Sequence, residues 1–201
     1  VSTAMKIYES KNLTELGINI FANIRYFIIN YGLWNTALEL AFEAIALFSF
    51  DIQNLSKHLT AWQTKIAVFR IWPIAWIYRF RGDYDKAEKE ILFSLKVHQN
   101  AEDESNVAMA KRHLGLVLQK AGEIEKAEIF FKEALEYAEL KRDSYRVQLL
   151  NADLADLALQ QGKLDKAKEL SEVVINYPDQ ITDSQCIARF YRVLGSEKRQ
   201  K

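Results

Sequence analysis

The sequence predicts an all-α fold of stacked antiparallel helical hairpins, and three observations predict it. Glycine and proline are scarce, seven and two in 201 residues, whereas β or α/β chains of this length need many more turn residues. One motif recurs without gaps every 40 residues. Within each copy the apolar side chains are spaced by three and four, as on one face of a helix.

The recurring motif reads Arg81-Gly-Asp-Tyr-Asp-Lys-Ala-Glu-Lys, Ala121-Gly-Glu-Ile-Glu-Lys-Ala-Glu-Ile and Gln161-Gly-Lys-Leu-Asp-Lys-Ala-Lys-Glu. Its glycines Gly82, Gly122 and Gly162 are expected to end one helix, where a residue able to take positive φ closes the last turn. Asp85, Glu125 and Asp165 then lie in the first turn of the next helix, where the helix dipole favours negative charge. Ala87, Ala127 and Ala167 let the two helices approach, and Lys86, Lys126 and Lys166 share the same step. A second series, Asp103, Asp143 and Asp183, falls where the following hairpin begins, as helix caps. A third, Ala75, Gly115, Ala155 and Gly195, is always small and falls mid-helix. Glycine there costs about 1 kcal/mol of helix propensity against alanine, which makes sense where a neighbouring helix packs on the backbone.

Within a unit, Ala127, Phe130, Phe131, Ala134, Leu135 and Ala138 form one helical stripe, and Val107, Ala110, Leu114, Val117 and Leu118 another. Each unit is therefore helix, glycine turn, helix. The pattern resembles the tetratricopeptide repeat, best in Leu114-Gly115, Leu118, Gly122, Ala127, Phe131 and Ala134. The 40-residue unit exceeds that family's usual length and looks like the extended repeats of kinesin light chains and of many bacterial sensor proteins. The resemblance implies a right-handed α-solenoid, a superhelix whose concave side is lined by the first helix of every hairpin.

Domain organisation follows the register. Residues 57–201 are expected to hold three such hairpins and a C-terminal helix in one continuous solenoid, ending in the charged run from Glu197. Residues 1–56 are expected to hold divergent N-terminal helices and a first hairpin. In that part Gly32 precedes Gly82 by 50 residues rather than 40, although Gly32 to Ala37 keeps the glycine-to-alanine step. Tyr31-Gly-Leu-Trp-Asn-Thr-Ala-Leu-Glu-Leu also looks like the glycine-tryptophan repeat of STAND-type (NB-ARC-like) signalling ATPases. The chain begins with Val1 rather than Met, which suggests a piece of a longer protein with a covalently linked upstream domain.

Charge and motif content narrow the function. Lys plus Arg equal Asp plus Glu at 27 each, so the chain has no net field to attract phosphate backbones or anionic lipid. No apolar run reaches the roughly 18 residues a membrane span needs, because Arg25 and Arg70 break the two most hydrophobic stretches. Nucleic-acid and membrane partners are therefore not expected. A single cysteine, Cys186, precludes an internal disulfide and suits a reducing, cytoplasmic setting. It reads as a small buried hydrophobe. His58, His98 and His113 lack metal-ligand spacing and read as surface or groove residues. Phosphate-binding loops and nucleophile elbows are missing as well, so neither catalysis nor a cofactor is expected.

The expected function is protein interaction, with a peptide or partner domain held in the concave groove. The alternative is a ligand- or peptide-sensing regulatory domain of a larger signalling ATPase or transcriptional regulator. Residues flanking the small mid-helix position, such as those three before and four after it, fall on or near the groove face. They are Asn19, Asn23 and Tyr26 in the first unit and Phe69, Trp72, Trp76 and Arg79 in the second. Met109, Arg112, Leu116 and Gln119 follow in the third unit, and Asp153 and Asp156 in the fourth. Arg70-Ile-Trp-Pro-Ile-Ala-Trp-Ile-Tyr-Arg79 concentrates the residue types enriched at binding hot spots. An aromatic shelf carrying guanidinium groups suits a peptide with acidic and apolar side chains. Trp72 and Trp76 could instead fill the core. Pro73 in this helix predicts either a kink or a new helix start.

Overall fold

A computed structural model describes residue 32, residues 34–47, 64, 66–68, 70–175 and residue 195. The described residues are helical or in short turns, with no strand among them. The chain divides into two compact units, residues 1–110 and 111–201. The boundary expected near residue 56 lies outside the described residues, as do Asp183 and Cys186.

In the first unit, α1 (Trp34–Leu47) is followed by a π-helical turn (Arg70–Ala75), α2 (Trp76–Arg81) and α3 (Tyr84–Asn100). The start of α4 (Glu104–Ala121) completes it. The π turn packs on α1 and α3, and α2 packs on α3. Ala37, Leu38, Ala41, Ile66, Ile74 and Ile77 form the core, with Trp34, Trp76 and Tyr78 against it. The irregularity at Pro73 is thus a widened turn. Proline has no N–H to donate and collides with the carbonyl four residues back in an α-helix; a wider turn relieves both.

In the second unit the remainder of α4 is followed by α5 (Ile124–Leu140), α6 (Ser144–Gln160) and α7 (Leu164–Ile175). Helix α6 packs on both α5 and α7. Ala127, Phe131, Ala134 and Ala138 are the buried stripe of α5, at the three-and-four spacing of an amphipathic helix. A Cβ placed on Gly115 would stand 2.6 Å from Cε1 of Phe131. The glycine is therefore there for the close approach of that ring to the backbone, as its mid-helix position implies.

The turns explain the repeat. Gly82, Gly122 and Gly162 have φ of +81°, +87° and +73°. Behind each, the next residue's N–H bonds a carbonyl five residues back, as in Asp83 N to Tyr78 O at 2.9 Å, the closure of a Schellman motif. Asp143 caps α6 by accepting from the Arg146 N–H at 3.0 Å, and Asp103 does the same for Asn106 at 3.1 Å. Both caps fall where the aspartate series put them.

Polar side chains cross between hairpins. Lys166 on α7 reaches Glu128 on α5 at 2.9 Å, and Lys132 approaches the same carboxylate at 2.9 Å. Hydrogen bonds from the two ammonium groups hold the Glu128 carboxyl down at about 2. One member of the repeating lysine series thus links successive hairpins.

Candidate functional site

Helix α2 carries the densest exposed aromatic and cationic group among the described residues. Trp76 packs against the core cluster and against Phe80, ring centroids 4.0 Å apart and tilted by 37°. Phe80 is 55% exposed, and the Arg79 guanidinium lies 5.1 Å from its ring centre. The Arg81 guanidinium lies 5.8 Å over Trp34 and donates to Asn35 Oδ1 at 2.7 Å. Lys86 stands 5.5 Å over Tyr78. Burial, with the Glu90 and Asp83 carboxylates, pushes the Tyr78 phenol up, so it stays protonated at neutral pH. On and beside α2, the stacked pair Trp76 and Phe80 with Arg79, and Trp34 and Tyr78 each under a cation, make a ledge that offers apolar area and hydrogen-bond donors together.

The ledge includes Trp76 and Arg79, expected from the repeat phase. It also includes Phe80, Arg81, Trp34 and Asn35, which the phase missed. Counting three or four from Ala75 stops one residue short of Phe80. Trp34 and Asn35 were read as part of a divergent hairpin rather than as a surface. Two adjacent aromatic-basic pairs in Trp-Ile-Tyr-Arg-Phe-Arg were the available signal.

The other expected groove residues divide into three groups. Asn19, Asn23, Tyr26 and Phe69 lie outside the described residues, and Trp72 contributes its backbone to the π turn. Met109 and Asp156 are half-buried. Arg112, Asp153, Gln119 and Leu116 differ from the expectation of an open groove. Arg112 Nε donates to Asp153 Oδ2 at 2.6 Å, and the Asp153 side chain has no exposed surface. Gln119 and Leu116 are buried, at 6% and 7% exposure. The charges on α4 and α6 neutralise each other because two adjacent first helices bring residues 41 apart into contact, a pairing that no one-helix count reveals.

The histidines also depart from expectation. His113 is buried, and His98 is entirely so. His98 Nδ1 lies 3.4 Å from Asp103 Oδ2, too poorly aligned for a hydrogen bond. Burial pushes the imidazole down despite the nearby carboxylate, so it is neutral in the folded chain. Burial also opposes ionisation of Asp103, but hydrogen bonds from Asn106 and the proximity of His98 outweigh it and hold the carboxyl below the usual range. Among the described residues no three His, Cys, Asp or Glu side chains are grouped to hold a metal ion. No helix among them is long and apolar enough to cross a membrane.

Comparison with known proteins agrees with this architecture. Residues 68–139 match the tetratricopeptide repeat family model. No curated protein matches the sequence. Among solved structures, BtubC (BKLC) from P. vanneervenii is similar to this chain with a TM-score of 0.73 and 19% identity, over 96% of this chain and 79% of that one. At that identity the likeness shows the fold alone. Neither comparison supports the narrower resemblance to signalling ATPases. Tetratricopeptide repeats generally mediate protein–protein interaction. The tetratricopeptide repeat match covers residues 68–139, and the likeness supports an all-α solenoid fold class for the chain.

Proposed function

We propose that this chain is a non-catalytic interaction module that binds a peptide or partner domain, and that the ledge on α2 is its principal contact. The observation that carries the reading is Phe80, more than half exposed yet stacked on Trp76 and flanked by Arg79. A large aromatic held rigid at the surface presents apolar area at low entropic cost, and arginines beside it add directed donors for carboxylates. The ligand class that fits is a peptide segment carrying acidic and apolar side chains. Of the remaining groove residues, Asn19, Asn23, Tyr26 and Trp72 are assigned to the same face from the repeat register of the sequence alone. Arg112 and Asp153 are committed to each other. The division into a divergent 1–56 and a repeat array over 57–201 is part of this reading. So is a cytoplasmic setting, supported by one cysteine in 201 residues.

A random peptide library displayed on phage and selected against the immobilised 201-residue chain tests the proposal. The expected winners share carboxylates beside an aromatic or large aliphatic residue. Their binding weakens with added salt and falls at least tenfold on the paired change Arg79→Glu and Phe80→Ser. Selected peptides that bind the paired variant as well as the parent would remove the ledge from the account.

A further inference from the structure

The first helices of successive hairpins can be compared residue by residue at the 40-residue step. From the end of the π turn onward, three positions agree in all units. Ile74, Leu114 and Leu154 are buried, as are Ala75, Gly115 and Ala155, and Ile77, Val117 and Leu157. Before the turn the agreement fails. Ala67 is buried where Val107 and Val147 are half-buried. Val68 is half-buried where Ala108 and Gln148 are buried, and Arg70 is half-buried where Ala110 and Leu150 are buried. Advancing the count by one residue repairs all three mismatches against α4 and that of Ala67 against α6, where Leu149 and Asn151 are buried opposite Val68 and Arg70. Ala67 then corresponds to Ala108 and Gln148, Val68 to half-buried Met109, and Arg70 to half-buried Lys111. Ile66 fits neither count, and buried Ile71 fits neither in α4, where Lys111 and Arg112 are both half-buried.

A π turn closes between residues five apart instead of four, and so contains one residue more than an α turn. The side-chain chemistry follows the advanced count. Lys111 Nζ meets Glu133 on the second helix of its own hairpin at 2.8 Å. Arg70 Nη1 does the same with Glu90 at 2.7 Å, and its guanidinium lies 3.9 Å over the Phe93 ring. Had the helix stayed α-helical through Pro73, Arg70 would stand at the position of Ala110, turned by roughly 100° from where it now pairs.

We propose that Pro73 is a register-setting residue and that the π turn around it accommodates a single inserted residue. The insertion sets Ala67, Val68 and Arg70 back by one position relative to α4. Arg70 therefore serves as the internal cation of its hairpin, while the ledge residues Trp76 and Arg79 keep the repeat phase. The inference concerns the helix itself and stands apart from any ligand.

Deleting one residue tests it. In an unbroken α-helix a deletion turns everything on one side by a full residue step and scrambles the buried face. Deleting Pro73 should instead convert the π turn to an α turn and leave both faces where they are. The 201-residue chain is compared with its Pro73 deletion and with a deletion of His113, the residue at the same repeat position in α4. The Pro73 deletion should melt within about 4 °C of the parent, and the His113 deletion far below it. The melting shifts of Arg70→Ala and Glu90→Ala should remain non-additive in the Pro73 deletion, which overall stability alone would not guarantee. Equal losses from the two deletions, a Pro73 deletion that does not fold, or loss of the Arg70–Glu90 coupling would each overturn the inference.

Discussion

The first helices of the hairpins carry arginines at related faces and use them in opposite ways. In α4 and α6, Arg112 and Asp153 pair at 2.6 Å with the aspartate side chain wholly enclosed. In α2, Arg79 and Arg81 lie over rings at a surface that keeps Phe80 more than half exposed. Repetition of a backbone unit therefore does not repeat its chemistry. One region uses charge to fix neighbouring helices, and the other presents charge outward on an aromatic base. Variants that act on stability in the first region should leave it nearly unchanged in the second.

The largest expected effect comes from Asp153→Ala. It leaves the mostly enclosed Arg112 guanidinium without its carboxylate, and breaking a buried pair in this way costs about 3–5 kcal/mol. Urea denaturation of the variant gives the number; a loss below about 1 kcal/mol would make the pair incidental. Gly115→Ala comes next and has a sign to test. Helix propensity alone favours alanine by about 1 kcal/mol, but the new Cβ would meet the fully buried Phe131 ring at 2.6 Å, and overpacking costs about 1–3 kcal/mol. We expect net destabilisation, relieved in Gly115→Ala/Phe131→Leu. The corresponding small residue of the first unit, Ala75, already carries its Cβ. The smallest effect is an acid one. Glu128 sits at about 2 against an ordinary 4.5, so its folded-state pKa is depressed. Its contribution is fully present above pH 4.5 and is lost as pH falls from 4.5 towards 2. Glu128→Gln should flatten that part of the stability-versus-pH curve and leave the curve above pH 5 parallel to the parent.

Much of the fold was legible because the sequence marks it with residues whose physics is local. Gly82, Gly122 and Gly162 announce positive φ, Asp103 and Asp143 announce helix caps, and Ala87, Ala127 and Ala167 announce close approach and are fully buried. The turns at the other end of each hairpin carry no such mark. Glu102 and Arg142 take φ of +54° and +53° and close the same hydrogen-bond pattern, with Asp103 N to His98 O at 3.0 Å and Asp143 N to Ala138 O at 2.9 Å. Side chains that rarely adopt this conformation do so here because the helices on either side dictate it.

The candidate site was legible in part for the same reason. Trp76 and Arg79 follow from phase within one helix. Phe80 over Trp76 follows from exposure at a helix end, and Arg81 to Asn35 joins residues 46 apart in sequence. Arg112 to Asp153 likewise depends on which helices become neighbours. The π turn hid its offset because it sits upstream of the position from which the phase was counted.

If the α2 ledge is a surface for a partner and not a piece of the core, changing it should abolish binding and spare stability. Thermal unfolding of Arg81→Glu/Phe80→Ser beside Asp153→Ala tests it most directly, with the affinity of one selected acidic peptide measured on the same samples. The ledge variant should melt within about 2 °C of the parent, a shift of roughly 0.5 kcal/mol as for a surface change, and should have lost its peptide. A ledge variant that melts as early as Asp153→Ala, or that holds the peptide as tightly as the parent, would contradict it.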